Sequence, residues 1–112
     1  MGKGKFLGEF EQIVLLAVLR LRGDGYGMSL RREIEERTGR SVSIGAVYAT
    51  LDRLEVKGYL ISRDGESAPV RGGRSRRLFK AVPAGTRALQ DSREMLDRMW
   101  QGVDVDPEAT NA

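Results

Sequence analysis

Two residue types are missing from this chain of 112 residues: it has no cysteine and no histidine. Without cysteine there is no disulfide, no thiolate nucleophile and no sulfur ligand for a metal. Without histidine, the commonest zinc ligand and the commonest general base near neutral pH are gone as well. Carboxylate pairs such as Glu35-Glu36 remain, but they fall on a helix face expected to be solvated. No glycine-rich phosphate loop leads into a helix. The residues therefore argue against an enzyme, a metal site or a bound cofactor. Long apolar runs are also lacking. The longest, Ile13 to Leu19, falls far short of the roughly 20 residues that cross a bilayer. No small-residue cleavage site follows that run, and Phe6 stands where a myristoylation signal needs Ser or Thr. The expectation is a soluble, cytoplasmic protein with no membrane partner.

What the chain does have is an uneven charge. Residues 1–82 hold 16 of the 19 Lys and Arg and 10 of the 16 acids, a balance of +6, whereas residues 83–112 balance at −3. A basic body with an acidic tail suits a polyanionic partner. A solvated surface gives the same totals, so the placement of the charges has to decide.

Periodicity supplies that placement. Glu9 to Arg22 reads as a helix whose centre is apolar all the way round, so it needs cover on every side. Gly23, Gly25 and Gly27 then mark a turn. Met28 to Arg37 forms a second helix, closed by Gly39. Ser43 is a good N-cap for a third helix running to about Lys57, with Ile44, Val47, Leu51 and Leu54 inward and Ala46, Ala49, Thr50, Arg53 and Lys57 opposite. Two runs of β formers, Tyr59 to Arg63 and Arg76 to Val82, flank a polar loop containing Gly65, Pro69, Gly72 and Gly73 and predict a hairpin. Pro83 opens a last helix that reaches about Gly102. The fold class is mainly α with a small β-hairpin, a winged helix-turn-helix followed by a C-terminal dimerisation helix. Its divisions are a winged domain with its N-terminal helix (residues 1–82), the dimerisation helix (83–102) and an acidic flexible tail (103–112).

This order of elements has a physical use on double-stranded DNA. A third helix with a small-residue N-terminal half lets backbone approach base edges in the major groove. Ala46 and Ala49 suit thymine methyls, Thr50 can hydrogen-bond, and Arg53 and Lys57 add charge. Ser41 and Ser43 lie where unpaired helix N–H groups favour a phosphate. From Arg71 through Lys80 the chain carries five cations, Arg71, Arg74, Arg76, Arg77 and Lys80, and no acid, which suits a minor groove. A hairpin charged only to prevent edge pairing is the plainer reading of the same residues.

The last helix repeats Leu89, Leu96, Met99, Trp100 and Val103 along one face, which the winged domain can cover only at its start. A homodimer is the simplest cover, with Leu15 and Leu19 of the first helix in the same interface. Trp100 has two readings there, ordinary interface packing or a stacking platform for a planar hydrophobic effector.

The chain resembles the PadR-like transcriptional regulators. Gly25-Tyr26-Gly27, Ser43 through Leu54, Gly58-Tyr59-Leu60-Ile61, Gly72 through Phe79, and Gly85 with Leu89 carry the resemblance, over roughly residues 7–100. It departs at Ala49, where many members have Pro, at Phe79, where Tyr is frequent, and at Val82-Pro83, where Leu-Thr is usual. The resemblance implies a dimeric repressor on a pseudo-palindromic operator, with phenolic or other hydrophobic effectors in some members. It assigns Tyr48 to a phosphate contact. The alternative is a winged-helix module that binds protein without specific DNA binding.

Overall fold

The computed structural model describes residues 6–67 and 75–108. In order these form α1 (Glu9–Arg20), α2 (Gly27–Thr38), α3 (Ile44–Val56), β1 (Leu60–Ser67), β2 (Ser75–Ala81) and α4 (Pro83–Trp100). Local chemistry sets the helix ends. Glu9 and Glu11 occupy the first turn of α1, where the helix dipole favours acids. The φ of +74° at Gly39, an angle costly for any residue with a Cβ, closes α2. At the start of α3 the Ser43 hydroxyl accepts the Ala46 N–H at 3.0 Å. Pro83 sits in the first turn of α4, where no intrahelical donor is lost.

The three first helices meet in one core. Val14, Leu15 and Val18 of α1 pack with Leu30 and Ile34 of α2 and with Val47, Leu51 and Leu54 of α3, none more than 2% exposed. Leu60 and Phe79 insert from the hairpin into the same cluster. Each such side chain contributes about 1.5–3 kcal/mol by leaving water.

The hairpin pairs antiparallel with Leu60 opposite Ala81 and Ser62 opposite Phe79. Its first strand is longer than the β formers alone suggest. Pairing continues through Asp64 opposite Arg77 to Ser67 opposite Ser75, with an irregularity between, and takes Gly65 out of the loop. On the other edge of β2, the Phe79 N–H donates to the Gly25 carbonyl at 3.0 Å. The α1–α2 turn is thereby a short third rung that roots the hairpin.

Helix α4 leaves the hairpin at a tight crossing. The Tyr59 carbonyl accepts the Val82 N–H at 3.2 Å, and Gly85 lies so close to that carbonyl that a Cβ would collide with it. The buried residues of α4 are Gly85, Ala88, Leu89 and Ser92, all in its first ten residues. Ser92 is fully buried, and its hydroxyl accepts the Leu7 N–H at 2.9 Å, tying the segment before α1 to α4. Ser92→Ala strands that buried N–H and is expected to cost about 1–3 kcal/mol. The check is a lower urea midpoint with an unchanged slope, at fixed protein concentration.

Candidate nucleic-acid interface

Helix α3 is set in place from α2. Arg31 Nε donates to the Val42 carbonyl at 2.9 Å, and the Glu35 carboxylate accepts the Val42 N–H at 3.0 Å. Two side chains of α2 thus grip both polar groups of one residue in the α2–α3 turn. At the start of α2, Gly27 lies directly under the Tyr48 ring, and a Cβ there would overlap it. Tyr48 is still 40% exposed, so its ring seats on α2 with part of its surface in solvent. Around it, Ser41, Ser43, Ala46 and Ala49 are exposed. The N-terminal half of α3 therefore offers small side chains and a helix N-terminus to solvent.

The C-terminal half differs from expectation. Thr50 is only 1% exposed, because it flanks the buried stripe at Val47, Leu51 and Leu54. Its hydroxyl accepts Arg53 Nη2 at 3.0 Å, which covers it further. Arg53 and Lys57 turn toward α1, where Glu11 waits: Lys57 Nζ lies 2.8 Å and Arg53 Nε 3.9 Å from the same carboxylate oxygen. The other Glu11 oxygen accepts the Gly8 N–H at 3.0 Å. Burial raises the affinity of the Glu11 carboxyl for a proton. The Lys57 and Gly8 hydrogen bonds and the charges of Lys57 and Arg53 outweigh it, so its pKa lies below the ordinary value of 4.5.

Three of the described hairpin cations, Arg63, Arg76 and Arg77, are also engaged. Arg71 and Arg74 lie outside the described residues. The Arg76 guanidinium sits 4.4 Å from the centroid of the Tyr26 ring. Arg77 Nη2 lies 2.6 Å from Glu55 Oε1 and Nη1 lies 3.6 Å from Asp52, both on α3, while Nε donates to the Ser62 hydroxyl at 3.1 Å. Arg63 reaches Asp24 at 3.5 Å. Sequence reasoning does not single out Glu11, Asp52 or Glu55. Their partners are 22 to 46 residues away or on another element, so no local spacing announces them.

A second surface lies between α1 and α4, a groove of about 540 Å³ whose lining includes Leu16, Leu19, Leu89, Leu96 and Trp100. Leu19, Leu96, Met99, Trp100 and Val103 are between 38% and 73% exposed, as an uncovered apolar face would be. Leu15 is not on that face, and Leu89 lines the groove without being exposed. Leu15 is fully buried in the three-helix core and Leu89 is 8% exposed, while Leu16 presents 48% of its surface in their stead. A helix apolar all round does not reveal from periodicity which side turns inward.

Among the described residues no group of three acidic side chains is placed to hold a metal, and no helix is long and apolar enough to cross a membrane. Three helices, a hairpin rooted on the α1–α2 turn and linked to the third helix through Arg77 and Glu55, and a following helix define a winged helix-turn-helix protein. Residues 15–91 match the transcriptional regulator PadR-like family, and the chain belongs to it. It is 38% identical over 98 residues to transcriptional regulator Rv3488 of Mycobacterium tuberculosis, covering 85% of this chain and 87% of the relative. The fold is shared with a PadR family transcriptional regulator from Eggerthella lenta, at TM-score 0.67 and 22% identity over 84% of this chain and 81% of the other. A transcriptional regulator from Clostridium thermocellum aligns at TM-score 0.67 and 22% identity, over 81% and 82% of the two chains. The protein is a DNA-binding transcriptional regulator of the PadR type.

Glu11 gives a pH test of the α1–α3 brace. A carboxyl whose folded pKa is depressed stabilises the fold above its unfolded pKa, and that contribution is lost as pH falls through the folded value. Glu11→Gln is expected to cost about 1–2 kcal/mol at pH 7. The gap to wild type should narrow as pH falls below 4.5. Urea midpoints measured from pH 7 to pH 3 check it, and a pH-independent gap would remove the charge from the argument.

Proposed function

We propose that the protein is a repressor that binds a pseudo-palindromic operator as a homodimer. The observation that carries this reading is the exposed, small-residue N-terminal half of α3, beside a hairpin and on the same subunit as an exposed apolar stripe at the end of α4. Ser41, Ser43, Ala46 and Ala49 bring backbone close to base edges, and Tyr48 offers its exposed edge to a phosphate. Arg76 flanks them, with Arg71 and Arg74 further along the hairpin by sequence. Arg53 and Lys57 act on the backbone only by exchanging Glu11 for phosphate. Repression follows from steric exclusion when such a dimer occupies a promoter.

The homodimer is supported by the exposed stripe of Leu96, Met99, Trp100 and Val103, which has Leu16 and Leu19 of α1 beside it across the groove. A two-fold mate buries both helices at once and sets two copies of α3 about one DNA turn, roughly 34 Å, apart. Trp100 lines the groove, so a planar hydrophobic effector that enters it meets an aromatic face.

Two measurements test the reading. Arg74→Ala with Arg76→Ala should flatten the dependence of DNA affinity on salt by about 0.9 log units for each phosphate left without its cation. An unchanged slope would make the hairpin charges a guard against edge pairing. Leu96→Asp with Met99→Asp should yield monomers by analytical ultracentrifugation at low micromolar concentration, with operator binding weakened. Dimers that persist in that variant would move the interface elsewhere.

A further inference from the structure

Among the described hairpin cations, Arg77 is the one whose guanidinium faces α3, and the geometry around it is closed. Its Nε donates to the Ser62 hydroxyl at 3.1 Å, and that hydroxyl donates to Glu55 Oε2 at 3.0 Å. Its Nη2 returns to Glu55 Oε1 at 2.6 Å. Three side chains, one each from α3, β1 and β2, therefore form a ring, with Asp52 as a looser ion-pair partner 3.6 Å from Nη1. Beneath the guanidinium, at 5.2 Å, is the ring of Phe79, which is fully buried in the core. The cluster of Arg77, Asp52 and Glu55 has a net charge of −1. A surface of that sign does not attract a phosphate, and Arg77 would have to leave two carboxylates and a hydroxyl to reach one.

We propose that Arg77 is a positioning residue rather than a phosphate ligand: with Ser62, Glu55 and Asp52 it fixes the angle between the hairpin and α3, and thereby the DNA sequences that both can engage together. The proposal rests on the DNA-binding reading above. The physical consequence concerns selectivity more than affinity. With the angle fixed, α3 and the hairpin contact DNA simultaneously only where groove geometry matches, and elsewhere the acids oppose the backbone. With the ring opened, the hairpin adapts to many sequences and Arg77 becomes one more cation available to phosphate.

The test compares wild type, Arg77→Ala, Glu55→Gln and the double variant. Each is titrated over a salt series with a duplex selected by wild type from a random pool and with random-sequence duplex. Arg77→Ala should leave the salt slope on random duplex unchanged and narrow the selected-to-random affinity ratio about tenfold, the size of a single base mismatch. Glu55→Gln should narrow the ratio similarly while steepening the slope by about 0.9 per liberated Arg77, and the double variant should lose that steepening. Loss of packing alone would not steepen a salt slope. If Arg77→Ala does not fold, Glu55→Gln decides the matter through its slope. A slope flattened by about 0.9 in Arg77→Ala, with Glu55→Gln like wild type, makes Arg77 a phosphate ligand and overturns the proposal. Wild-type ratios in every variant overturn it equally. A wild-type protein without salt-dependent DNA affinity overturns the DNA reading, and this one with it, and is recognised before any variant is compared.

Discussion

Helix α1 is apolar on more sides than the rest of the described subunit covers, and much of the architecture follows from that constraint. Its inner residues Val14, Leu15 and Val18 are fully buried against α2 and α3, while Leu16 and Leu19 on the same two turns remain 48% and 38% exposed. The inner side gathers the core that fixes α3. The outer side faces the groove with α4, whose Leu96, Met99 and Trp100 are exposed. Leaving so much apolar surface in water on two neighbouring helices is costly at about 25 cal/mol per Å². A second copy relieves both at once, which is why the dimer is proposed through α1 as well as α4.

Net charge is a poor guide to where this protein meets DNA. The +6 balance of residues 1–82 suggests a broad basic face, yet the cations near α3 are largely spoken for. Arg53 and Lys57 share Glu11, Arg77 is held by Glu55 and Asp52, and Arg40 pairs with Glu9 at 2.9 Å. An isolated, partly exposed pair contributes at most about 1 kcal/mol, so phosphate can compete for Arg40 or Arg53 at little cost, whereas capturing Arg77 would open a bonded ring of three side chains. Trading a carboxylate for a phosphate gains less than pairing an unpartnered cation would. On the proposed reading, selectivity then leans on shape: the small residues of α3, its solvent-facing N-terminus capped by Ser43, and a hairpin held at a set angle.

The sequence was informative wherever a local rule sufficed. The N-cap at Ser43, the stop at Gly39, the Pro83 start and the 47, 51, 54 stripe all follow from one residue or from i,i+3 and i,i+4 spacing. Local rules failed at three kinds of place. Leu15 and Leu16 are interchangeable in an all-apolar run, and only the positions of α2 and α3 decide which is core. Thr50 borders the stripe that α3 turns to the core, and only the elements packed against α3 decide that it is buried with it. Gly65 reads as a turn residue, yet backbone pairing with β2 carries on past it to Ser67 opposite Ser75. In each case contacts across elements decided between states that local spacing leaves equal.

The same helix that joins the groove to the core also joins it to α3. Leu16, on the groove, and Glu11, on the brace to Lys57 and Arg53, are five residues apart on one rigid rod. A ligand or partner that shifts α1 relative to α4 must therefore either carry α3 with it or break the Glu11 contacts. Close-packed interiors transmit such a shift because they have no slack to absorb it. In the proposed dimer both α1 helices meet at one interface, so a displacement there would change the distance between the two copies of α3. That distance has to match a DNA turn. Coupling between groove and operator thus requires no long relay, only the stiffness of one twelve-residue helix held at its inner face by the core.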